Sequence, residues 1–247
     1  MKDFISIIEY TGRKHGVVGA FNDFLTFAVC ALSMGAKEEE YLKIAEKYTS
    51  EEMTNFSQAF ALMVHEMDNH GEGLKDCLGD YFMEVQGSNW HGQFFTPQPL
   101  CDMMGQLAGN NYKDGDKVND CACGSGRMLL SVAKQNRKCV FYASDIDYQC
   151  CQMTLINFCL NGLTGYVSHM NTLSLEVWKN WGVGIHPIHL VPYIFEINFT
   201  EKEKVINQTM LDFYELEKKQ ETKEVVQVET MVENKYSHLL DEIDLLL

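Results

Sequence analysis

The chain has 247 residues, of which 46% are hydrophobic, and a formal net charge of −15; this is enough apolar content for a folded core without disulfide or metal staples. So acidic a chain, with only three arginines (Arg13, Arg127, Arg137), is a poor grip on nucleic acid by itself, because duplex affinity comes mostly from neutralised phosphates. Its nine cysteines form no pair at zinc-knuckle or redox spacing and no signal peptide precedes them, and the apolar run 17–34 is broken by Asn22 and Asp23; reduced thiols, a cytoplasmic location and no membrane role are expected.

Residues 1–88 read as a helical domain. Phe21, Phe24, Leu25, Ala28 and Leu32 recur at three- and four-residue spacing. Thr49-Ser50-Glu51-Glu52-Met53 supplies a hydroxyl cap with acids in the next turn, and opens a helix with Phe56, Phe60, Met63, Val64 and Met67 on one side. Residues 69–73, Asn-His-Gly-Glu-Gly, stop it. A short helix over 74–85 then leads to a loop at Gly87-Ser88-Asn89.

Residues 89–199 change period. Strands are expected over 118–121, 139–144 and 166–169, joined by helices over 127–135 and 147–160, an α/β pattern of the doubly wound, Rossmann-like kind. Beyond Asn171 only one or two further strands fit, one of them over 190–199, so the sheet is reduced. Residues 200–247 read as an acidic helical tail with Ile206, Met210, Phe213, Leu216, Leu239, Leu240 and Ile243 at helical spacing. It packs one stripe on its own domain or serves as an oligomerisation helix.

The most informative stretch is Asn119-Asp120-Cys121-Ala122-Cys123-Gly124-Ser125-Gly126, where a strand ends and a helix begins. That geometry binds a nucleotide-like ligand above the carboxyl edge of a sheet, and Gly124 and Gly126 permit close approach of the ligand to the backbone. Leu129 occupies the place where the nicotinamide fingerprint wants a third small residue, which disfavours a dinucleotide. Asp120 is placed for a cationic ammonium. Asp145, about twenty residues past the loop, is placed for ribose hydroxyls, with Ile146 against an adenine ring.

Upstream, Gly92-Gln93-Phe94-Phe95-Thr96-Pro97 resembles the motif that precedes the glycine loop in type I restriction-modification methylation subunits. The loop itself resembles their Asp-Pro-Ala-Cys-Gly-Ser-Gly, with Cys121 in place of proline, and residues 157–162 and 171–173 resemble the segments after their second and third strands. Over residues 74–176 the chain is similar to the N-6 adenine DNA methylase group, and its helical part is similar to that of smaller phage-type members. The resemblance implies S-adenosylmethionine as cofactor. Thr96 and Pro97 would close over the methionine moiety, Asp120, Ala122, Cys123 and Gly124 would hold its ammonium and carboxylate side, and Asp145 with Ile146 would hold the adenosine. Phe95, Ser125 and Gly126 complete the cofactor-binding set. Asn171 replaces an aspartate that contacts the adenine amino group, and its carbonyl can still accept that hydrogen bond. The implied partners are DNA, held weakly by this chain alone, and a specificity or other protein subunit.

The adenine amino group is a poor nucleophile, so such enzymes flip the base out and hold it with an Asn or Asp side chain, a proline carbonyl and a stacked aromatic. In the family this is Asn-Pro-Pro-Phe or Asp-Pro-Pro-Tyr. Here the four prolines, Pro97, Pro99, Pro187 and Pro192, are never adjacent, so the motif is absent and the catalytic residues are unassigned. His186-Pro187-Ile188-His189 and Leu190-Val191-Pro192-Tyr193 lie at about the right distance after Asn171 as partial substitutes. Cys121 and Cys123, one residue apart, read as loop thiols, and Cys150-Cys151 as helix thiols; His65 and His70 lack the four-residue gap of helical metal ligands, so no metal is expected. Trp90 and His91 read as loop anchors or part of a lid. The leading expectation is a DNA adenine (N-6) methyltransferase-family protein of restriction-modification type. The alternative is a catalytically defective cofactor-binding module that works through a partner; a methyltransferase for a small molecule or protein is a third.

Overall fold

A computed structural model describes residues 2–86, 95–108 and 111–197, within a unit spanning Met1–Ile197. The segments 87–94 and 198–247, with the expected loop at Gly87, Trp90 and His91, the first half of the 92–97 motif, and the acidic tail, lie outside the described residues.

Helices α1 (Lys2–His15), α2 (Val17–Ala31), α3 (Glu38–Ala45) and α4 (Ser50–Asp68) form where apolar residues recur at helical spacing. The α4 start is a complete capping box: Glu52 N–H donates to Thr49 Oγ1 at 3.2 Å and Thr49 N–H to Glu52 Oε2 at 2.7 Å. The helix ends as read, with Asn69 and His70 both in the left-handed region (φ 48° and 60°). Phe4, Phe21, Phe24, Phe56 and Tyr81 fill the core of this part through edge-to-face and tilted ring contacts. The helix expected over 74–85 is shorter, α5 (Cys77–Tyr81), and runs into a π turn at Phe82–Gln86. After Pro97 comes α6 (Gln98–Leu107).

Among the described residues five strands make one mixed sheet in the order β1 (Lys117–Asp120), β2 (Val140–Asp145), β3 (Gly165–Asn171), β4 (Glu176–Ile185), β5 (Pro192–Glu196). The first three are parallel, connected by α7 (Arg127–Ala133) and α8 (Tyr148–Leu160), and β4 and β5 add as an antiparallel hairpin beside β3. The reduced α/β core is thus as expected, with two differences. Residues 176–185 form a strand that the sequence pattern hides, and the strand expected over 190–199 is β5. Gly182 and Gly184 disguise β4 because glycine interrupts a strand pattern. In the fold Phe195 on β5 covers that place: a Cβ at Gly182 would fall 2.3 Å from its ring.

Because β1, β2 and β3 step across the sheet in one direction, right-handed crossovers put α7 and α8 on the same face. That face carries the paired row Val118, Phe141, Gly165, Val183 and Ile194, with Phe158 of α8 against Phe141 at 5.8 Å between ring centroids. The opposite face carries Asn119, Tyr142, Tyr166, Gly182 and Phe195, with Tyr142 stacked on Tyr166 at 5.3 Å. The two edges also differ. At β5, Ile194 N–H donates to Leu32 O at 2.9 Å, and the buried Lys37 ammonium holds Glu196 at 2.8 Å, so the helical layer closes that edge. At β1, β2 is the only strand that pairs among the described residues.

Candidate cofactor site

The site is built at the carboxyl ends of β1 and β2. The turn out of β1 is set by Asp120, whose carboxylate accepts from Ala122 N–H at 3.2 Å. Cys123 N–H then donates to Ser144 O of β2 at 3.0 Å, and Gly126 N–H to Cys123 O at 2.8 Å. Gly124 (φ 55°) and Gly126 (φ 81°) take the left-handed conformations this path requires, and Gly126 caps α7. Added Cβ atoms would meet the Phe95 ring at 3.0 Å from Gly124 and Thr154 at 3.1 Å from Gly126. Phe95 thus lies against the loop, itself stacked on buried Phe82 at 4.7 Å.

Asp145, at the end of β2 and only 9% exposed, accepts Gly124 N–H at 2.8 Å on one oxygen and Asp147 N–H at 2.9 Å on the other. The Ile146 N–H also bears on this carboxylate, which keeps lone-pair capacity for a further donor. Burial raises the pKa of Asp120 above the ordinary aspartate value, and the neighbouring Asp145 charge adds to this against the Ala122 N–H. Burial likewise raises Asp145, held back by the N–H groups of Asp147 and Gly124. No salt bridge to either carboxylate occurs among the described residues. Two part-buried carboxylates at adjacent strand ends, with no ion-pair partner among the described residues, suit a ligand that brings a positive charge and hydroxyl donors.

The other expected residues fall around this pair. Ile146 is 60% exposed at the rim, its carbonyl 3.1 Å from His169 Nε2. Thr96 and Pro97 precede α6, where the Thr96 carbonyl accepts the Cys101 thiol at 3.5 Å and Pro97 is the N-cap. Cys123 is buried, and burial pushes its thiol far above the usual range, so it is no nucleophile. Asn171 ends β3, and its Oδ1 already accepts Leu173 N–H at 3.0 Å and Ser174 N–H at 3.2 Å. What Asn171 has left for a ligand is the amide N–H pair.

Ser125 turns away from the ligand side. Its hydroxyl donates to Asp76, a carboxylate that also accepts Arg127 Nε at 2.8 Å, Asn157 Nδ2 at 2.9 Å and Gly79 N–H at 2.8 Å. Asn157 reaches Ser125 O as well, at 2.7 Å, and Arg127 makes a second ion pair to Asp80 at 2.6 Å. This buried network clamps the glycine loop from below, between the helical part and α8. Sequence reasoning missed Asp76, Arg127 and Thr154 and gave Asn157 no role. Asp76 lies 49 residues before Ser125, so no local pattern ties them together.

The two proline segments form the β4–β5 connection. His186 Nδ1 accepts Ile188 and His189 N–H at 3.3 and 3.2 Å, and His186 packs edge-on to Tyr193 at 5.3 Å. Since β4 runs antiparallel to β3 and Val183 pairs with Gly165, this connection lies at the amino ends of the parallel strands. Counted along the strands it is about 20 Å from the carboxyl edge. Neither segment shares the site with the glycine loop.

A glycine loop clamped between two carboxylate-bearing ends of parallel strands is the arrangement in which an α/β sheet takes a nucleotide-type ligand at its carboxyl edge. Residues 75–221 match the N-6 DNA Methylase family, and the chain belongs to that family. It is 24% identical over 175 residues to the type I restriction enzyme MpnII methylase subunit of Mycoplasma pneumoniae, a match covering 67% of this chain and 31% of that protein. The chain therefore spans about a third of the length of that curated relative. A crystal structure of the type I restriction-modification system methyltransferase subunit from Streptococcus thermophilus aligns with 69% of this chain and 39% of that one, at 21% identity and a TM-score of 0.39.

Proposed function

We propose that this chain is the S-adenosylmethionine-binding part of a type I restriction-modification DNA adenine (N-6) methyltransferase, and that it transfers no methyl group by itself. The observation that carries this reading is the pair of carboxylates, Asp120 and Asp145, on either side of the Gly124 loop, with no ion-pair partner among the described residues. Asp120 receives the ammonium of the methionine moiety, with Ala122, Cys123 and Gly124 along it. Asp145 receives the ribose hydroxyls through its remaining lone pairs, Ile146 lies on the adenine ring, and Asn171 borders it. Phe95, Thr96 and Pro97 close over the loop, while Ser125 and Gly126 hold its shape. When bound, the cofactor supplies an electrophilic methyl group. Residues 1–88 serve as a helical support, 89–199 as the cofactor domain and 200–247 as a separate tail. Activity on DNA requires a specificity or other subunit, since a net charge of −15 gives this chain little hold on phosphates.

The second reading, a catalytically defective module that binds the cofactor and acts through a partner, is favoured by the place of the proline segments on the far edge of the sheet. Titration calorimetry tests the common part: the chain is expected to bind S-adenosylmethionine. Asp145→Ala is expected to weaken binding by about 1.5–3 kcal/mol, the cost of losing a charged acceptor. Unchanged affinity removes the ribose assignment. Radiolabelled transfer to unmethylated DNA by the purified chain is expected to be at background, and multiple turnover would end both statements about activity.

A further inference from the structure

We infer that Asn171 meets the base of the bound nucleoside as a hydrogen-bond donor, so that the site holds a 6-oxopurine nucleoside at least as well as the 6-aminopurine. The inference rests on the cofactor reading above and sharpens it at one group. Asp145 pairs with His169 across the β2–β3 ladder, and Asn171 lies two residues further along β3, at its end. Alternation puts His169 and Asn171 on the sheet face that Asp145 uses. One strand spacing and two residues of strand separate Asp145 from Asn171, a step of about 8 Å. A purine on a ribose held at Asp145 spans that step, with its edge toward the Asn171 amide.

The polarity of that amide is set by the turn after β3. Asn171 Oδ1 accepts Leu173 N–H at 3.0 Å and Ser174 N–H at 3.2 Å. Two backbone donors identify this end of the amide as the oxygen, so the other end is the NH2 group. Both lone pairs of Oδ1 are used by the chain, and Nδ2 makes no hydrogen bond among the described residues. The next acceptor on this rim is engaged as well. Ile146 O lies 3.1 Å from His169 Nε2, and since a carbonyl can only accept, the ring nitrogen donates. The His169 ring is held for this between Tyr148, at 5.3 Å between ring centroids, and Trp178, at 4.7 Å. Trp178 reaches it because the β3–β4 register shifts between His169 and Met170, which leaves Trp178 as the extra residue of a bulge. The base edge therefore faces an NH2 group and oxygens that already serve the chain. A 6-amino group brings further donors to a donor and leaves them to water, whereas a 6-oxo group brings the acceptor that Nδ2 lacks. A site built to accept the amino group would instead discriminate strongly against a base without it.

Titration calorimetry of the full chain with S-adenosylhomocysteine and with its 6-oxo analogue, S-inosylhomocysteine, reads this preference. The two ligands carry the same charges, so the ratio of their affinities reports the base alone. The 6-oxo ligand is expected to bind at least as tightly as the 6-amino ligand, and a threefold or larger preference for the 6-amino ligand overturns the inference. Asn171→Asp keeps Oδ1 for the turn and puts an oxygen in place of Nδ2, which turns the donor into an acceptor at nearly constant shape. The variant is expected to favour the 6-amino ligand at least tenfold. A ratio that does not move in the variant overturns the inference too, because Asn171 would then not touch the base. The ratio in the unmodified chain needs no variant and stands even where the substitution disturbs folding. Binding of neither ligand by the unmodified chain removes the cofactor reading and this inference with it, whereas binding of both with a 6-amino preference removes this inference and keeps the cofactor reading.

Discussion

The two faces of the sheet are made of residues of similar bulk with different fates. On one, Phe141, Val183 and Ile194 are at most 3% exposed beneath the α7–α8 layer. On the other, Tyr142 and Tyr166 shield each other by stacking, and Phe195 shields itself against Gly182. A tyrosine pair offers an apolar body with polar tips, which tolerates water and can also be covered. The covered face therefore carries stability, and the opposite face is the more open of the two among the described residues.

This division makes energetic demands that mutagenesis can meet or refuse, the largest in the clamp beneath the covered face. Asp76→Ala would leave the Arg127 guanidinium, 4% exposed, without one of its two carboxylates. Urea denaturation is expected to show a loss of about 3–5 kcal/mol, the cost of breaking a buried pair from one side. Cofactor affinity should fall with it, because Ser125 and Asn157 lose their shared acceptor. Next in size, Phe141→Ala is expected to cost about 3–5 kcal/mol through the cavity it opens. Tyr166→Ala, its neighbour on the bare face, is expected to cost under about 1 kcal/mol in the same assay. Equal losses at the two positions would mean that the faces do not differ.

The smallest effect is expected in the pH response of the site. Asp120 and Asp145 are raised by burial, so in the free protein each contributes stability while protonated, below its ordinary value, and loses that contribution as pH rises through its raised value. A bound ammonium favours the ionised form of Asp120 and reverses the sign. S-adenosylmethionine affinity is therefore expected to climb as pH rises from the ordinary aspartate value through the raised value of Asp120, by at most tenfold per pH unit for one titrating group, with net release of protons. Calorimetry in buffers of different ionisation enthalpy measures that release; proton uptake would place the ammonium elsewhere.

The glycine loop, the capping box of α4 and the three parallel strands were legible in the sequence because each rests on neighbours along the chain: a carboxylate at a strand end, a hydroxyl three residues before a glutamate, glycine where φ must be positive. The β4 strand was not, since its glycines are compensated by a ring from β5. The clamp was not either, because Asp76 and Arg127 meet only through the fold, 51 residues apart. The turn after Asn171 was likewise hidden: the side-chain oxygen expected to accept from a ligand accepts Leu173 and Ser174 N–H instead.

The hydrogen bond from Ile194 to Leu32 has a consequence for solubility. Open-ended fibrils grow when every subunit presents a donor edge and an acceptor edge, so that each addition regenerates the growing tip. With β5 closed by the end of α2 and by Lys37, the described strands leave one edge, that of β1, without a second strand. Pairing through these described strands stops at a single junction, so the open β1 edge does not by itself propagate a fibril.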